Sequence, residues 1–259
     1  MPQIQRYFIE LAYNGTAYHG WQSQPNAVGV QQLVDQALST VFRTTIETTG
    51  AGRTDTGVHA RQLFAHFDVE GETHNSQPTT HNSQLRSINA LLPYDIAVKR
   101  LIQVKADAHA RFDATSRSYE YHIHFEKDPF LHNFSWMLRD KPDVALMNQA
   151  AEIVKQYTDF SCFSKSNTQV KTNNCKITRA EWLEQDGKLI FHISADRFLR
   201  NMVRAIVGTL LMVGNKEIPP EAVRNIIESK NRSKAGTSVP ACGLYLTEVK
   251  YPYLTPSAP

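Results

Sequence analysis

One acidic residue stands inside a loop whose composition could present it for chemistry. Residues 51–60 read AGRTDTGVHA, in which Gly52 and Gly57 bracket an arginine and an aspartate. Glycines at such points permit positive φ or close approach by another backbone. In extended backbone, residues i and i+2 project to the same side, so the side chains of Arg53 and Asp55 leave the loop together. Asp55 is therefore the first candidate for a carboxylate nucleophile. The alternative is a β-turn in which Asp55 bonds its own backbone and Arg53 is a surface charge.

The composition indicates a globular protein that can bury a sizeable core. The chain has 259 residues, of which 41% are hydrophobic and 20% are charged, which allows one large domain or two small ones. Its first residues, MPQIQRYF, lack an apolar signal core, and the longest apolar run, at 205–214, is too short to cross a bilayer. The sequence therefore predicts a cytoplasmic protein with no membrane partner.

The cysteines and histidines argue against a disulfide framework and against a metal centre. The three cysteines are scattered and form no CxxC pair. Ten histidines are present, and His122 and His124 would share one face of a strand, but no third ligand is obvious nearby and HExxH is absent. The sequence thus predicts no metal site.

The charge distribution is more informative than the net charge of +3. Residues 160–180 contain no carboxylate and carry four basic side chains, and a second basic cluster follows near residue 230: Lys165, Lys171, Lys176 and Arg179, then Lys230, Arg232 and Lys234. Such stretches suit contacts to phosphates. Solvated loops that happen to be basic are the alternative.

Hydrophobic periodicity predicts an α/β (α+β) protein made of two ferredoxin-like βαββαβ units. In the first half, strands are predicted at 6–13, 44–49, 61–69 and 96–104, and helices at 29–43 and 85–92. In the second half, strands are predicted at 117–125, 175–183, 189–195 and 243–251, and helices at 144–157, 199–213 and 219–229. The predicted domains are 1–108, which carries the Asp55 loop, and 109–259.

The helix at 199–213 places arginines against an apolar stripe. At about 100° per residue, Arg204 falls at the border of the stripe and Arg200 falls inside its arc. A guanidinium there must either reach water or find a carboxylate, of which Asp55 is one candidate. On pattern alone, Tyr119 is a core tyrosine. Tyr18 and Trp21 are large aromatics in a polar loop, where exposed rings can stack on nucleotides.

With these elements placed, the sequence resembles the tRNA pseudouridine synthase A family, whose members isomerise uridines in the tRNA anticodon stem-loop. The resemblance covers nearly the whole chain and rests on seven stretches: YHGWQSQPN (18–26), AGRTDTGVHA (51–60), LPYDIAV (92–98), HARFDATSRSYEY (109–121), DFSCFSK (159–165), FLRNMVRAIVGTLLMVG (198–214) and KAGTSVPACGLYL (234–246).

The resemblance implies a two-domain pseudouridine-synthase fold with a central, mostly antiparallel sheet and an active-site cleft. It also implies a homodimer in which one tRNA contacts both subunits, no metal and no organic cofactor. The target uridines would be those at positions 38, 39 and 40. By the same resemblance, Asp55 is the catalytic nucleophile, Arg53 displaces the target base, Arg204 pairs with Asp55, Tyr119 lies beside the target base, and Leu244 lines the uracil pocket.

The implied reaction breaks the C1′–N1 bond, turns the bound uracil and forms a C1′–C5 bond. A carboxylate can serve as nucleophile or base in such a reaction, and a neighbouring guanidinium favours its ionised form. Whether Asp55 attacks C1′ or C6, or takes the C2′ proton, stays open at this point. Two other functions also stay open: a non-catalytic RNA-binding protein or tRNA chaperone, and a glycoside or nucleoside hydrolase, although hydrolases typically use two carboxylates.

Overall fold

The computed structural model describes residues 3–71, 78–164 and 172–254, so Lys165 and Lys171 of the first basic cluster lie outside the described residues. The chain divides into two compact units. The first unit comprises residues 1–115 and 246–259, and the second comprises 116–245. The domains predicted from sequence, 1–108 and 109–259, place the boundary earlier in the chain and keep the closing strand in the second domain. That division stays a prediction.

The first unit has the βαββαβ order that its periodicity predicted. Its elements are β1 (Gln3–Tyr13), α1 (Val30–Phe42), β2 (Thr49–Gly50), β3 (His59–Gly71), α2 (Pro78–Leu91) and β4 (Ile96–Val104). Strand β1 lies between β3 and β4 and is antiparallel to both, and β2 pairs antiparallel with β3. The predicted strand at 44–49 is reduced to the two residues of β2. Helix α2 begins at Pro78 rather than near residue 85, consistent with the preference for proline in the first helical turn.

Strand β1 is buried on both of its faces. The Tyr7 ring stacks on Phe67 at 5.7 Å between ring centroids. On the other face, Phe8 meets Tyr251 edge-on at 5.3 Å. Glu10, on that second face, is only 1% exposed, and it accepts hydrogen bonds from Arg100 and from Gln62. The alternation seen in the sequence therefore marks two buried faces, since a carboxylate that is paired and hydrogen-bonded can be buried at a tolerable cost.

The second unit also has a mostly antiparallel sheet. Its elements are β5 (Ser116–His124), β6 (Trp136–Met137), α3 (Val144–Val154), β7 (Ile177–Gln185), β8 (Lys188–Ala195), α4 (Met202–Gly214) and α5 (Ala222–Glu228), followed by β9 (Leu244–Lys250). Strand β8 is antiparallel to both β5 and β7, whereas the short β6 is parallel to β5. The first two residues of β9 belong to this unit and the rest to the first unit, where they lie beside β3. These findings confirm the predicted α/β fold class.

Helix α4 forms the core of the second unit. Eleven of its thirteen residues are buried. It begins at Met202, later than the predicted residue 199, because Asn201 adopts the left-handed conformation with φ 66°. Arg200 therefore precedes the helix and is exposed, so its predicted place within the apolar arc is wrong. Arg204 lies within the first turn and is half-buried, as the border position predicted.

Five α-helices are present among the described residues. Within that part of the chain, none is long and apolar enough to cross a membrane.

Candidate active site

The loop that carries Asp55 is held from inside the first unit by its neighbour, Thr54. The Thr54 hydroxyl is buried, and it accepts a hydrogen bond from the Trp21 backbone N–H at 3.0 Å. The same oxygen shares a 2.9 Å hydrogen bond with the Tyr13 hydroxyl. Gly20, with φ 85°, allows its backbone to lie close to that of Thr54, since a Cβ at residue 20 would be 2.2 Å from the Thr54 carbonyl oxygen. Buried hydrogen bonds and a close backbone contact thus set the position of the residue before Asp55.

A turn follows Asp55 directly. The Val58 N–H donates to the Asp55 carbonyl oxygen at 3.1 Å, and the Gly57 N–H donates to the Tyr18 carbonyl oxygen at 3.2 Å. Gly57 has φ 78°, which confirms the expected need for glycine. Gly52 does not share this need, because a Cβ there would meet open space and its φ is not in the left-handed region. The backbone turn of the alternative interpretation therefore exists, and it is made by the Asp55 carbonyl oxygen.

The two side chains expected to act together differ in their exposure. Asp55 is half-buried, and Arg53 is exposed. The Arg53 Nε donates to Gln22 Oε1 at 3.0 Å. The first unit thus carries a half-buried carboxylate and, two residues earlier, a guanidinium that is hydrogen-bonded to Gln22.

In the second unit, Arg204 is braced by the chain segment that follows α5. Its Nε donates to the Val239 carbonyl oxygen at 2.6 Å, and the Val239 N–H donates back to the Arg204 carbonyl oxygen at 3.3 Å. Further along α4, Gly208 lies so close to this segment that a Cβ would be 1.9 Å from the Thr237 carbonyl oxygen. The Thr209 hydroxyl accepts from the Gly236 N–H at 2.9 Å. The guanidinium of Arg204 is thereby fixed by backbone rather than left to reach water on its own.

Tyr119 and Leu244 are held by the same unit. Tyr119 is half-buried on β5 and meets Phe198 edge-on, with 5.1 Å between ring centroids. Leu244 is buried at the start of β9. The segment before it is anchored on β5, because the Tyr121 hydroxyl donates to the Pro240 carbonyl oxygen at 2.8 Å. The half-buried ring of Tyr119 differs from the fully buried core tyrosine that its pattern indicated.

The chain is similar to known proteins over nearly its whole length. A family model for tRNA pseudouridine synthase matches residues 157–252. The chain is 52% identical to the tRNA pseudouridine synthase A of Porphyromonas gingivalis over 96% of its own length and 98% of the relative's. The chain belongs to the tRNA pseudouridine synthase A family. A Bacteroides fragilis relative of the same name is 51% identical over 96% and 97% of the two chains, and one from Clostridium acetobutylicum is 37% identical over 94% and 98%.

Two aromatic residues of the family stretch YHGWQSQPN are not the exposed platforms that their polar loop suggested. Tyr18 is 6% exposed and Trp21 is 1% exposed. The Tyr18 hydroxyl donates to Asp95 Oδ1, and burial raises the pKa of Tyr18. The Trp21 ring stacks near Tyr13 at 6.5 Å between centroids. Both side chains therefore pack the loop against the core instead of offering a face to a nucleotide.

Much of the second basic cluster is engaged within the protein. Lys230 pairs with Asp159 at 2.8 Å, and this contact holds the pKa of the Asp159 carboxyl down to about 2. Arg232 donates to the Gly236 carbonyl oxygen at 3.0 Å and to the Ser238 hydroxyl at 2.9 Å. In the first cluster, Arg179 pairs with Glu181 at 2.6 Å. Arg232 in particular supports the segment that braces Arg204, a role that its charge alone did not indicate.

Of the two histidines that raised the question of a metal, His122 has a partner on its own strand. His122 Nε2 lies 2.8 Å from Glu120 Oε2 on the same strand. Among the described residues, no group of three or more potential metal ligands converges.

Proposed function

We propose that this protein is an isomerase that converts uridine to pseudouridine at positions 38, 39 and 40 in the anticodon stem-loop of tRNA. The observation that carries the proposal is the Asp55 loop. It presents a single half-buried carboxylate on a framework of buried hydrogen bonds, within a chain that belongs to the tRNA pseudouridine synthase A family.

Asp55 is proposed as the nucleophile. A rigid loop suits this role, because a reacting group held close to its attack geometry avoids the entropic cost of being ordered during the reaction. The carboxylate must be ionised, and we propose that Arg204 pairs with it, since an opposite charge nearby favours the ionised form. Support for Arg204 comes from its anchored Nε, which limits the orientations its guanidinium can take.

The target base must leave its stack before a carboxylate can reach the nucleotide, at a cost of a few kcal/mol. We assign this displacement to Arg53, whose exposed side chain stands two residues from Asp55. Tyr119 is proposed to stack on the extruded uracil. A half-buried ring, supported at its edge by Phe198, suits that task. Leu244 is proposed to line the uracil pocket.

The isomerisation conserves every atom and involves no net redox change, so we propose that it proceeds without a metal ion or an organic cofactor. We also propose a homodimer that acts in the cytoplasm, where tRNA is found. Exposed apolar side chains between residues 130 and 137, including Phe130 at 90% exposure and Met137 at 51%, offer the kind of surface that a partner subunit covers. Light scattering on the purified protein tests the dimer.

The function is tested by mapping pseudouridine on unmodified tRNA transcripts. The transcripts are incubated with wild-type protein or with Asp55→Ala, without an added cofactor. Modification of uridines 38–40 by the wild type, and none by the variant despite retained tRNA binding, is the expected result.

Three other results would contradict the proposal in different ways. Tight binding with every uridine unchanged would replace it with an RNA-binding or chaperone function. Release of free uracil would indicate a hydrolase. A loss of binding in proportion to activity would remove the specifically catalytic role of Asp55.

A further inference from the structure

We propose that Gln22 is a positioning residue for Arg53, and that it acts through a relay of two side-chain amides that begins on helix α1. The inference rests on the proposed function, in which Arg53 displaces the target base. The relay runs from the Thr48 carbonyl oxygen through Gln31 and Gln22 to the guanidinium of Arg53.

The relay has one hydrogen-bond polarity, imposed from both ends. An arginine Nε only donates, so the Gln22 side chain must turn its oxygen toward Arg53, where the distance is 3.0 Å. Its amide nitrogen then faces Gln31 Oε1 at 2.7 Å. A backbone carbonyl only accepts, so Gln31 must turn its nitrogen toward the Thr48 oxygen, at 2.6 Å. The Ser23 N–H also donates to Gln31 Oε1 at 3.0 Å, which selects the same orientation.

The inner end of the relay is anchored in the fold. Gln31 is 8% exposed on α1, and a buried amide without partners would be costly. Thr48 is itself tied to the same helix, because Asp35 Oδ1 accepts from its N–H at 3.0 Å and from its hydroxyl at 2.7 Å. Helix α1 therefore holds Thr48, directly before β2 and the Asp55 loop, by hydrogen bonds. Through Gln31 and Gln22 the same helix also orients the guanidinium of Arg53.

This arrangement restricts Arg53 before RNA binds. A free arginine side chain loses rotamer entropy when it is ordered. A hydrogen bond at Nε limits rotation of the guanidinium plane while leaving the terminal nitrogens at the tip of an exposed side chain. The relay thus shifts part of the ordering cost from the moment of base displacement to the folding of the protein.

The test substitutes Gln22→Met, which keeps the length of the side chain and removes both hydrogen-bonding atoms. The matched control is Gln24→Met in the same loop, where the side chain donates to the His19 carbonyl oxygen instead. Single-turnover pseudouridine formation on a tRNA anticodon stem-loop and the Kd for that RNA are measured for both. We expect Gln22→Met to lower the rate by about tenfold, as a small misplacement of a positioned group can, with Kd within about twofold. Gln24→Met should leave both unchanged.

Two further measurements separate positioning from a merely structural role. In an Arg53→Ala background, Gln22→Met should have no additional effect on the rate, because the group that it positions is gone. On a stem-loop whose target uridine is mismatched, the loss caused by Gln22→Met should shrink, because less stacking must be broken. The ratio of rates on paired and mismatched RNA does not depend on the folded fraction of the variant.

An equal loss in the wild-type and Arg53→Ala backgrounds would overturn the inference, as would a loss of the same size on both RNAs or no loss at all. A wild-type protein that forms no pseudouridine would instead overturn the proposed function, so the two failures are distinguishable.

Discussion

Replacing Thr54 by valine tests whether the framework beneath Asp55 is as rigid as its hydrogen bonds indicate. The substitution keeps the branched shape and removes the oxygen that serves both the Trp21 N–H and the Tyr13 hydroxyl. Trp21 is 1% exposed and Tyr13 is 4% exposed, so water does not readily replace the lost partner. An unsatisfied buried polar group costs about 1 to 3 kcal/mol. With two groups affected and some local relaxation, we expect the free energy of unfolding to fall by about 2 to 4 kcal/mol.

The measurement is urea unfolding of the full chain followed by tryptophan fluorescence, supported by a thermal melt. For a chain of this size, a loss of that magnitude corresponds to a decrease in Tm of about 5 to 10 °C. Thr56→Val is the matched control, because Thr56 is exposed two residues further along the same loop. Its expected effect is below about 0.5 kcal/mol. Thr54→Ser, which keeps the hydroxyl, should remain close to the wild type.

The catalytic rate gives the second readout. Thr54 adjoins the proposed nucleophile, so Thr54→Val should also slow pseudouridine formation under conditions where the protein is still folded. If Thr54→Val were no more destabilising than Thr56→Val, the hydrogen bonds at Thr54 would not hold the loop, and the account of a preorganised Asp55 would be wrong.

Three other predictions concern residues elsewhere in the protein. Burial lowers the pKa of His66 to about 4, so the unfolded chain binds more protons than the folded chain between about pH 4 and 6.5. The free energy of unfolding of wild type minus that of His66→Gln should therefore fall by about 2 to 3 kcal/mol as the pH decreases through that range. Burial raises the pKa of Asp35 to about 6, so the folded chain binds more protons than the unfolded chain between about pH 4 and 6. The free energy of unfolding of Asp35→Asn relative to wild type should therefore rise by about 2 to 3 kcal/mol as the pH increases through that range. Gly208→Ala, whose Cβ would lie 1.9 Å from the Thr237 carbonyl oxygen, should separate α4 from the segment that braces Arg204 and cost more than about 2 kcal/mol, measured by chemical unfolding.

For each of these three predictions, one result would contradict the physical reason given for it. A stability difference between wild type and His66→Gln that stays constant from about pH 4 to 6.5 would show that burial does not perturb His66. Parallel stability curves for wild type and Asp35→Asn across pH 4 to 6.5 would show that burial does not perturb that carboxyl. Gly52→Ala adds a Cβ in open space and should be nearly neutral, so an equally mild Gly208→Ala would contradict the close contact at α4.

The sequence by itself determined the elements and the identity of the candidate chemistry. Alternation and helical spacing are local properties, and they located β1, α1, β4 and α4 to within a few residues, because a strand or helix that covers a core must repeat its apolar side chains at its own period. The family stretches named Asp55 and Arg53 together, since a short loop carries its functional residues in one continuous segment. The family that these stretches indicated is also the family of the similar proteins.

Only the tertiary structure decided how those residues are supported. A polar loop with Tyr18 and Trp21 looked like an exposed platform, yet both rings are buried, Tyr18 with its hydroxyl bonded to Asp95 and Trp21 stacked near Tyr13. The charge of Arg232 suggested a phosphate contact, but its guanidinium holds backbone carbonyls instead. Gln22 carries no charge and no periodic signal, and it reaches Arg53 across 31 positions of sequence. Hydrogen bonds of this kind form only where packing brings distant segments of the chain together. Residue type and local spacing do not specify which distant segments those are.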